Sequence, residues 1–319
     1  MILVTGANGF VGEAVVRSLL AADVPVSAAV RQLESRIDIQ GVSWHAVGSI
    51  DAQTNWVSAL NGVQTVVHSA GRAHIMNEVA VDALAAYREV NVYGTLRLAE
   101  QAAIAGVKRL VFLSSVKVNG ESTLMNQKFS EADNPAPEDA IGQSKLEAEQ
   151  ALLSYSLQTG MEVVIIRAPL VYGPGVKGNF ASMIKAILSG LPLPLGGVNN
   201  QRSMVALDNL VSMVLLCADY KQTPQAANQV FMVADGEDVS VSTLLRKLAF
   251  AAKLPSRLFT VPVSLIRLGG QLLRKEAVID RLLGNLQVDA NKAQALLGWR
   301  PVRTMEEQLC KIFEARNSR

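Results

Sequence analysis

The stretch ILVTGANGFVG, residues 2–12, decides how the rest of the chain is read. Ile2 to Thr5 are apolar or β-branched and make a short strand. Gly6, Gly9 and Gly12 follow at once, and GEAVVRSLLAA (12–22) continues at helical spacing. Glycines allow the tight turn and let a pyrophosphate approach backbone N–H groups, while the helix N-terminus supplies favourable partial charge. An isolated glycine pattern means little, but this one joins a strand to a helix. It predicts a dinucleotide cradle of Gly6, Asn8, Gly9, Phe10, Val11 and Gly12.

Outward from this loop, strand-length apolar runs recur at 24–30, 65–71, 109–115 and 162–168. Helical patterns separate them, among them NWVSALNG (55–62), NVYGTLRLAEQAAIAG (91–106) and SKLEAEQALLSYSLQTG (144–160). Alternating strands and helices imply an α/β fold, a Rossmann-type doubly wound parallel sheet buried on both faces. After residue 170 the texture changes to Gly- and Pro-rich loops, as in YGPGVKGNF and SGLPLPLGGVNNQRS. The expected division is a dinucleotide-binding domain over 1–170, joined by about 203–230. A smaller C-terminal α/β substrate domain takes 171–202 and 231–319.

Composition narrows the function. A formal net charge of +2 gives no argument for nucleic acid. The two cysteines, Cys217 and Cys310, are far apart in apolar contexts and read as buried free thiols in a reducing compartment. The N-terminus lacks the basic region of a signal peptide, and no uncharged apolar run reaches about 18 residues, so a soluble cytoplasmic protein is expected. One segment, LFTVPVSLIRLGGQLLRK (258–275), is apolar with Arg267, Arg274 and Lys275. It reads as a helix over a substrate pocket or as a membrane-surface contact. His45, His68 and His74 lack metal-ligand spacing and no Cys–His cluster occurs, so no metal is expected.

Taken in order, the motifs carry a resemblance. HSAG (68–71), NVYGT (91–95), SSVKVNG (114–120), RAPLVYGPG (167–175), QRSMVALDNL (201–210) and DANKAQALLGWRP (289–301) follow the glycine loop. Together they resemble the extended short-chain dehydrogenase/reductases of the NAD-dependent epimerase/dehydratase family, which act on nucleotide sugars. Within that family the similarity is to bacterial O-antigen UDP-N-acetyl-sugar 4-ketoreductases and 4-epimerases. The resemblance implies a homodimer through the helices at 82–105 and 142–159. It gives His68, Ala70, Gly71 and Pro169 to the cofactor wall and Asn91 to support of the central helix and a water. Ser115 would hydrogen-bond the reacting sugar oxygen, and Lys145 would hold the nicotinamide ribose. Asn179, Arg202 and Arg281 would take the UDP-sugar diphosphate, which arginines suit. Each of these has an ordinary alternative as a solvated helix face, a strand end, a loop cap or a surface salt bridge.

Two positions depart from the pattern. Val116-Lys117 stands where dehydratases carry an Asp-Glu pair, which disfavours dehydration. Ile141 stands four residues before Lys145, where the family has a proton-handling tyrosine. Residues four apart share a helix face, so the isoleucine fills the phenol's place and offers no proton. Three readings stay open: an introduced substitution, a binding-only relative, or an enzyme with its acid elsewhere. A disabling change in an otherwise normal enzyme is favoured. The cofactor is NADP or NAD. Arg31, at the end of the second strand where NAD-preferring sites place a carboxylate, favours NADP unless it is only a surface residue. The expected activity is reduction of a UDP-4-keto-6-deoxy-N-acetylhexosamine at C4 in O-antigen precursor synthesis. C4 epimerisation and non-catalytic dinucleotide binding are the alternatives.

Overall fold

The computed structural model describes residues 1–72, 82–272 and 276–317. Its centre is a sheet of seven parallel strands: β1 (Ile2–Thr5), β2 (Val26–Val30), β3 (Val42–Ala46), β4 (Thr65–His68), β5 (Arg109–Ser115), β6 (Glu162–Ala168) and, arriving late in the chain, Gln229–Met232. A separate parallel pair joins β7 (Leu170–Tyr172) to β8 (Met204–Ala206), so the late strand of the main sheet is β9. The main sheet runs β3-β2-β1-β4-β5-β6-β9. Strand order therefore reverses between β1 and β4, and such a switch point opens a crevice at the carboxyl ends of the strands.

Helices cover both faces. On one side α1 (Phe10–Ala21) lies beside a later helix, Leu207–Ala218, and Val15, Val16, Leu19, Leu210, Met213 and Val214 are buried there. The other side carries α2 (Ala83–Arg88), α3 (Gly94–Ile104) and α4 (Ala140–Thr159), with Leu98, Ala102, Ala148 and Leu152 buried. A second core joins α5 (Gly178–Leu188) to α7 (Val241–Ala251) and α11 (Met305–Asn317), which leaves α6 as the Leu207–Ala218 helix. The remaining helices are α8 (Val263–Leu272), α9 (Glu276–Leu283) and α10 (Asn291–Leu297).

The helix expected at 55–62 is instead a run of turns. Trp56 is fully buried and its amide donates to Gln101 Oε1 at 2.8 Å, so the segment is anchored to α3 rather than propagated as a helix. The central helix is interrupted by a π segment at Glu89–Tyr93, which contains the buried Asn91. Such local i→i+5 geometry commonly accompanies functional sites. Cys217 is buried as expected, whereas Cys310 is only partly so. The Gly- and Pro-rich region after residue 170 contains β7 and α5 and is less loop-like than its composition suggests. His74, Arg274 and Lys275 lie outside the described residues.

Candidate active site

The glycine loop sits at the switch point. Gly6 has φ +63°, and a Cβ there would lie 2.9 Å from the Ala70 Cα. A Cβ on Gly12 would lie 2.1 Å from the Gly6 carbonyl oxygen, so strand and helix can approach this closely only with glycine. Gly9 is exposed and precedes α1, and no side chain caps that helix. The first-turn amides of Phe10, Val11 and Gly12 have no intrahelical acceptors, which suits a diphosphate. Asn8 Nδ2 donates to the Ser35 carbonyl at 3.3 Å and to Ser35 Oγ at 3.2 Å, tying the cradle to the loop after β2. Arg31 is exposed at the head of that loop. The cradle therefore fits a dinucleotide.

His68 takes a different place from the one expected. Its side chain is 1% exposed and packs behind the cradle. Nδ1 shares a 2.7 Å hydrogen bond with Thr5 Oγ1, and Nε2 a 2.9 Å bond with Thr95 Oγ1. Burial, with the Lys145 charge second, pushes its pKa down to about 3, so the ring is neutral and braces β1, β4 and α3. The part of the expected cofactor wall that remains is the backbone beyond it. The Ala70 amide donates to Thr5 Oγ1 at 3.2 Å, and Gly71 is exposed. Pro169 is buried between β6 and β7.

Asn91 clamps this wall to α4. Its Oδ1 accepts from the Arg72 amide at 2.8 Å, and its Nδ2 donates to the Arg72 carbonyl at 3.2 Å and to Ser144 Oγ at 3.0 Å. A Cβ on Gly71 would lie 3.1 Å from Asn91 Oδ1 and 3.4 Å from Lys145 Nζ, so three of the expected residues converge. The Lys145 ammonium donates to the Leu113 carbonyl at 2.8 Å and lies 4.3 Å from the Phe112 ring centroid. Burial pulls its pKa down to about 8 against the opposing charge of Glu149.

Ile141 lies in the first turn of α4, half-buried. Asp139 caps this helix by accepting from the Gly142 amide at 2.8 Å. A Cβ on Gly142 would sit 2.4 Å from the Lys117 carbonyl oxygen, so α4 begins directly on the 3₁₀ turn Val116–Val118 that follows Ser115. Ser115 Oγ accepts from the Lys117 amide at 3.2 Å. The Lys117 ammonium bonds Asp139 Oδ2 and, at 2.8 Å, Glu121 Oε1. Burial disfavours the charged lysine, but these two carboxylates outweigh it and hold its pKa above normal. Gly142→Ala is expected to lower stability by about 1–3 kcal/mol, as overpacking does. A denaturant titration that matches the parent chain would refute the close approach.

At the far side of the cleft, Arg202 Nη1 donates to the carbonyls of Arg281 (2.7 Å) and Gly284 (3.0 Å). Burial lowers its pKa. The Arg281 Nε lies 3.4 Å from Glu121 Oε2, so a charged chain links Arg281, Glu121, Lys117 and Asp139 across the cleft. The structure thus brings Arg202 and Arg281 together. Asn179, exposed in the first turn of α5, shares no hydrogen bond with either arginine among the described residues.

The profile of the NAD dependent epimerase/dehydratase family matches residues 2–234. The chain belongs to this family. A UDP-glucose 4-epimerase of Vibrio cholerae is 46% identical over 323 aligned positions, covering 100% of this chain and 97% of that protein. An N-acetyl-alpha-D-glucosaminyl-diphospho-ditrans,octacis-undecaprenol 4-epimerase of Escherichia coli O157:H7 is 28% identical, covering 83% of this chain and 77% of its own length. Among solved structures, MoeE5 in complex with UDP-glucuronic acid and NAD superposes with a TM-score of 0.79 at 25% identity, covering 99% of each chain.

Within this family frame the sequence pointed to Ser115, Lys145, Asn91 and the glycines, but not to Gly142, Ser144 or the Lys117–Glu121 pair. The signal that points to Asp139 in the sequence is its place as a capping residue ahead of an amphipathic run. Two tyrosines that could supply a replacement acid, Tyr93 and Tyr172, both lie away from the start of α4. Tyr93 is 48% exposed in the π segment. Tyr172 is fully buried, donates to Asp235 Oδ2 at 2.6 Å, and has its pKa raised by burial and by that carboxylate.

Proposed function

We propose that this chain binds NAD(P) and a UDP-sugar and supports hydride transfer at sugar C4. The observation that carries the reading is the convergence of Gly71, Asn91 and Lys145, with α4 seated on the Ser115 turn by Gly142. Residues 1–170 with about 203–230 serve the dinucleotide, and 171–202 with 231–319 the sugar nucleotide. The separate core joining α5, α7 and α11 supports that division.

Four-epimerisation and reduction of a 4-keto sugar share the same machinery. They differ in whether the ketone forms and is re-reduced in place or arrives from outside. The Vibrio cholerae relative favours epimerisation. The motif resemblance supports the reductase form, on a UDP-4-keto-6-deoxy-N-acetylhexosamine for O-antigen synthesis. In either form the cofactor, when bound, supplies or accepts the hydride. Ser115 polarises the C4 oxygen, Lys145 orients the ribose, and Arg202 and Arg281 hold the diphosphate. With Ile141 in place, a positioned proton donor is missing, so the chain as written binds its ligands and turns over slowly. What supports a homodimer is the exposure of Tyr93, Ile104 and Leu157 on the helices expected to pair.

The test is direct. Calorimetry should show NAD(P) and UDP-sugar binding to the unmodified chain. The Ile141→Tyr protein should then convert UDP-glucose or UDP-N-acetylglucosamine to its C4 epimer with bound NAD, or reduce the 4-keto sugar with external NADPH. No sugar-nucleotide binding in either protein would sink the reading.

Cofactor choice gives a separate expectation. Arg31 can pair with a 2′-phosphate, so NADP should bind tighter than NAD, and Arg31→Asp should reverse that order by at least about tenfold, 1.4 kcal/mol. Equal shifts for both cofactors would show Arg31 to be an ordinary surface residue.

A further inference from the structure

The α8–α9 hairpin is oriented opposite to an ordinary surface helix pair. Gly270 of α8 is buried, and a Cβ there would lie 2.6 Å from Ile279 Cγ1 of α9, so α8 lies flat on its neighbour. Ile266, on the same side of α8, is partly buried against the second core. The opposite side should then be polar, but it carries Leu265, Leu268 and Leu272, at 55%, 51% and 78% exposure. Positions i, i+3 and i+7 make one continuous face. The preceding segment adds further exposed apolar side chains. Phe259 is 48% exposed and donates its amide to the Leu193 carbonyl at 3.1 Å, while Leu191, two residues before that strand partner, is 65% exposed.

The stretch of chain that carries this face is basic. No aspartate or glutamate occurs between Asp238 and Glu276, a span holding seven lysines and arginines. Lys253, Arg257 and Arg267 are exposed. Glu276 and Asp280, the first acids beyond, belong to α9. An outward apolar face with a basic surround is the signature of a helix lying in a membrane interface. A second copy of the chain would bring like charges together, whereas an anionic lipid surface complements them. Among the described residues no helix is long and apolar enough to cross a membrane, so such contact would be peripheral.

We propose that the outer face of α8, with Phe259 and Leu191, docks this protein on an anionic phospholipid bilayer. Because α9 carries Arg281, the docked face adjoins the candidate diphosphate end of the cleft. The proposal does not depend on which reaction the cleft performs.

Vesicle co-sedimentation of the full chain tests it, comparing pure phosphatidylcholine with an equal mixture of phosphatidylcholine and phosphatidylglycerol. The chain should sediment with the mixed vesicles, at least about tenfold more tightly than with the neutral ones, and high salt should weaken binding. Leu265→Ser/Leu268→Ser/Leu272→Ser should abolish it while NAD(P) binding persists. Lys253→Glu/Arg267→Glu, which leaves the apolar face intact, should weaken it at least about tenfold. Three results would overturn the proposal: no sedimentation of the parent chain, equal binding to neutral vesicles, or unaltered binding by both variants. A fourth is a dimer-to-monomer change of the leucine variant in light scattering without vesicle binding by the parent, which assigns the face to a second copy.

Discussion

Ile141→Tyr is expected to raise the single-turnover rate of hydride transfer at C4 by about 10²–10⁴-fold, the usual contribution of a positioned general acid. Ligand affinities should change far less, because the cradle, Lys145 and Arg202 are distinct from the restored group. An interaction made mainly in the transition state moves kcat more than binding. The new phenol would stand one helical turn before the Lys145 ammonium, whose charge favours the phenolate and makes the hydroxyl a better acid. Apart from Lys145, no group near the start of α4 is prepared for this work. Lys117 is held protonated by Asp139 and Glu121, and the His68 ring is buried and neutral. Lys145 is the remaining source, with its pKa down to about 8. The slow rate of the unmodified chain should therefore fall as pH rises through about 8, where Lys145 loses its proton. Stopped-flow measurement of NAD(P)H absorbance with a UDP-4-keto sugar checks both points. Rates for the two proteins within about threefold, well short of a general acid's contribution, would remove Ile141 from the catalytic position.

The second large effect concerns the base of the same helix. Glu149 of α4 is 2% exposed and pairs with Arg167 of β6, with Oε2 2.6 Å from Nη2. Arg167 Nε donates to both carboxylate oxygens at 3.1 Å, and its Nη1 donates to Asn119 Oδ1 at 2.9 Å. Ser114 Oγ also donates to Glu149. Removing one partner of such a pair strands a buried charge, at a cost of about 3–5 kcal/mol. Glu149→Gln should lower the melting temperature by on the order of 10 °C. The double change Glu149→Leu/Arg167→Met should recover most of that loss, since neither charge is then left alone. Circular dichroism melts of the three proteins decide it; a single variant within 1 °C of the parent would show the pair to be well hydrated. Glu149 also opposes the downward shift of Lys145, so its loss should pull that pKa lower still.

Local pattern alone was enough for the elements that are apolar from end to end. β5 and β6 fall at the read positions, 109–115 and 162–168, because central parallel strands are buried on both faces and need a continuous apolar run. The glycine loop was legible because backbone chemistry leaves no side chain free to vary at Gly6 and Gly12. β3 and β9 escaped notice because both are edge strands with partly exposed residues, so neither is apolar from end to end. The apolar spacing of NWVSALNG suggested a helix, but long-range bonds from the Trp56 amide to Gln101 and from Ser27 to the Ala59 carbonyl overrode it. The candidate site divides in the same way. The order of motifs marked Ser115, Asn91 and Lys145 as candidates, and the fold brings Asn91 and Lys145 to within about 3.4 Å of a Cβ on Gly71. Tertiary contact alone decided that His68 turns inward to Thr5 and Thr95, that Gly142 lets α4 rest on the Lys117 carbonyl, and that Arg281, Glu121, Lys117 and Asp139 join across the cleft. Periodicity records which face of an element is apolar; it holds no information about which polar groups, tens of residues apart, the packed elements bring into reach of one another.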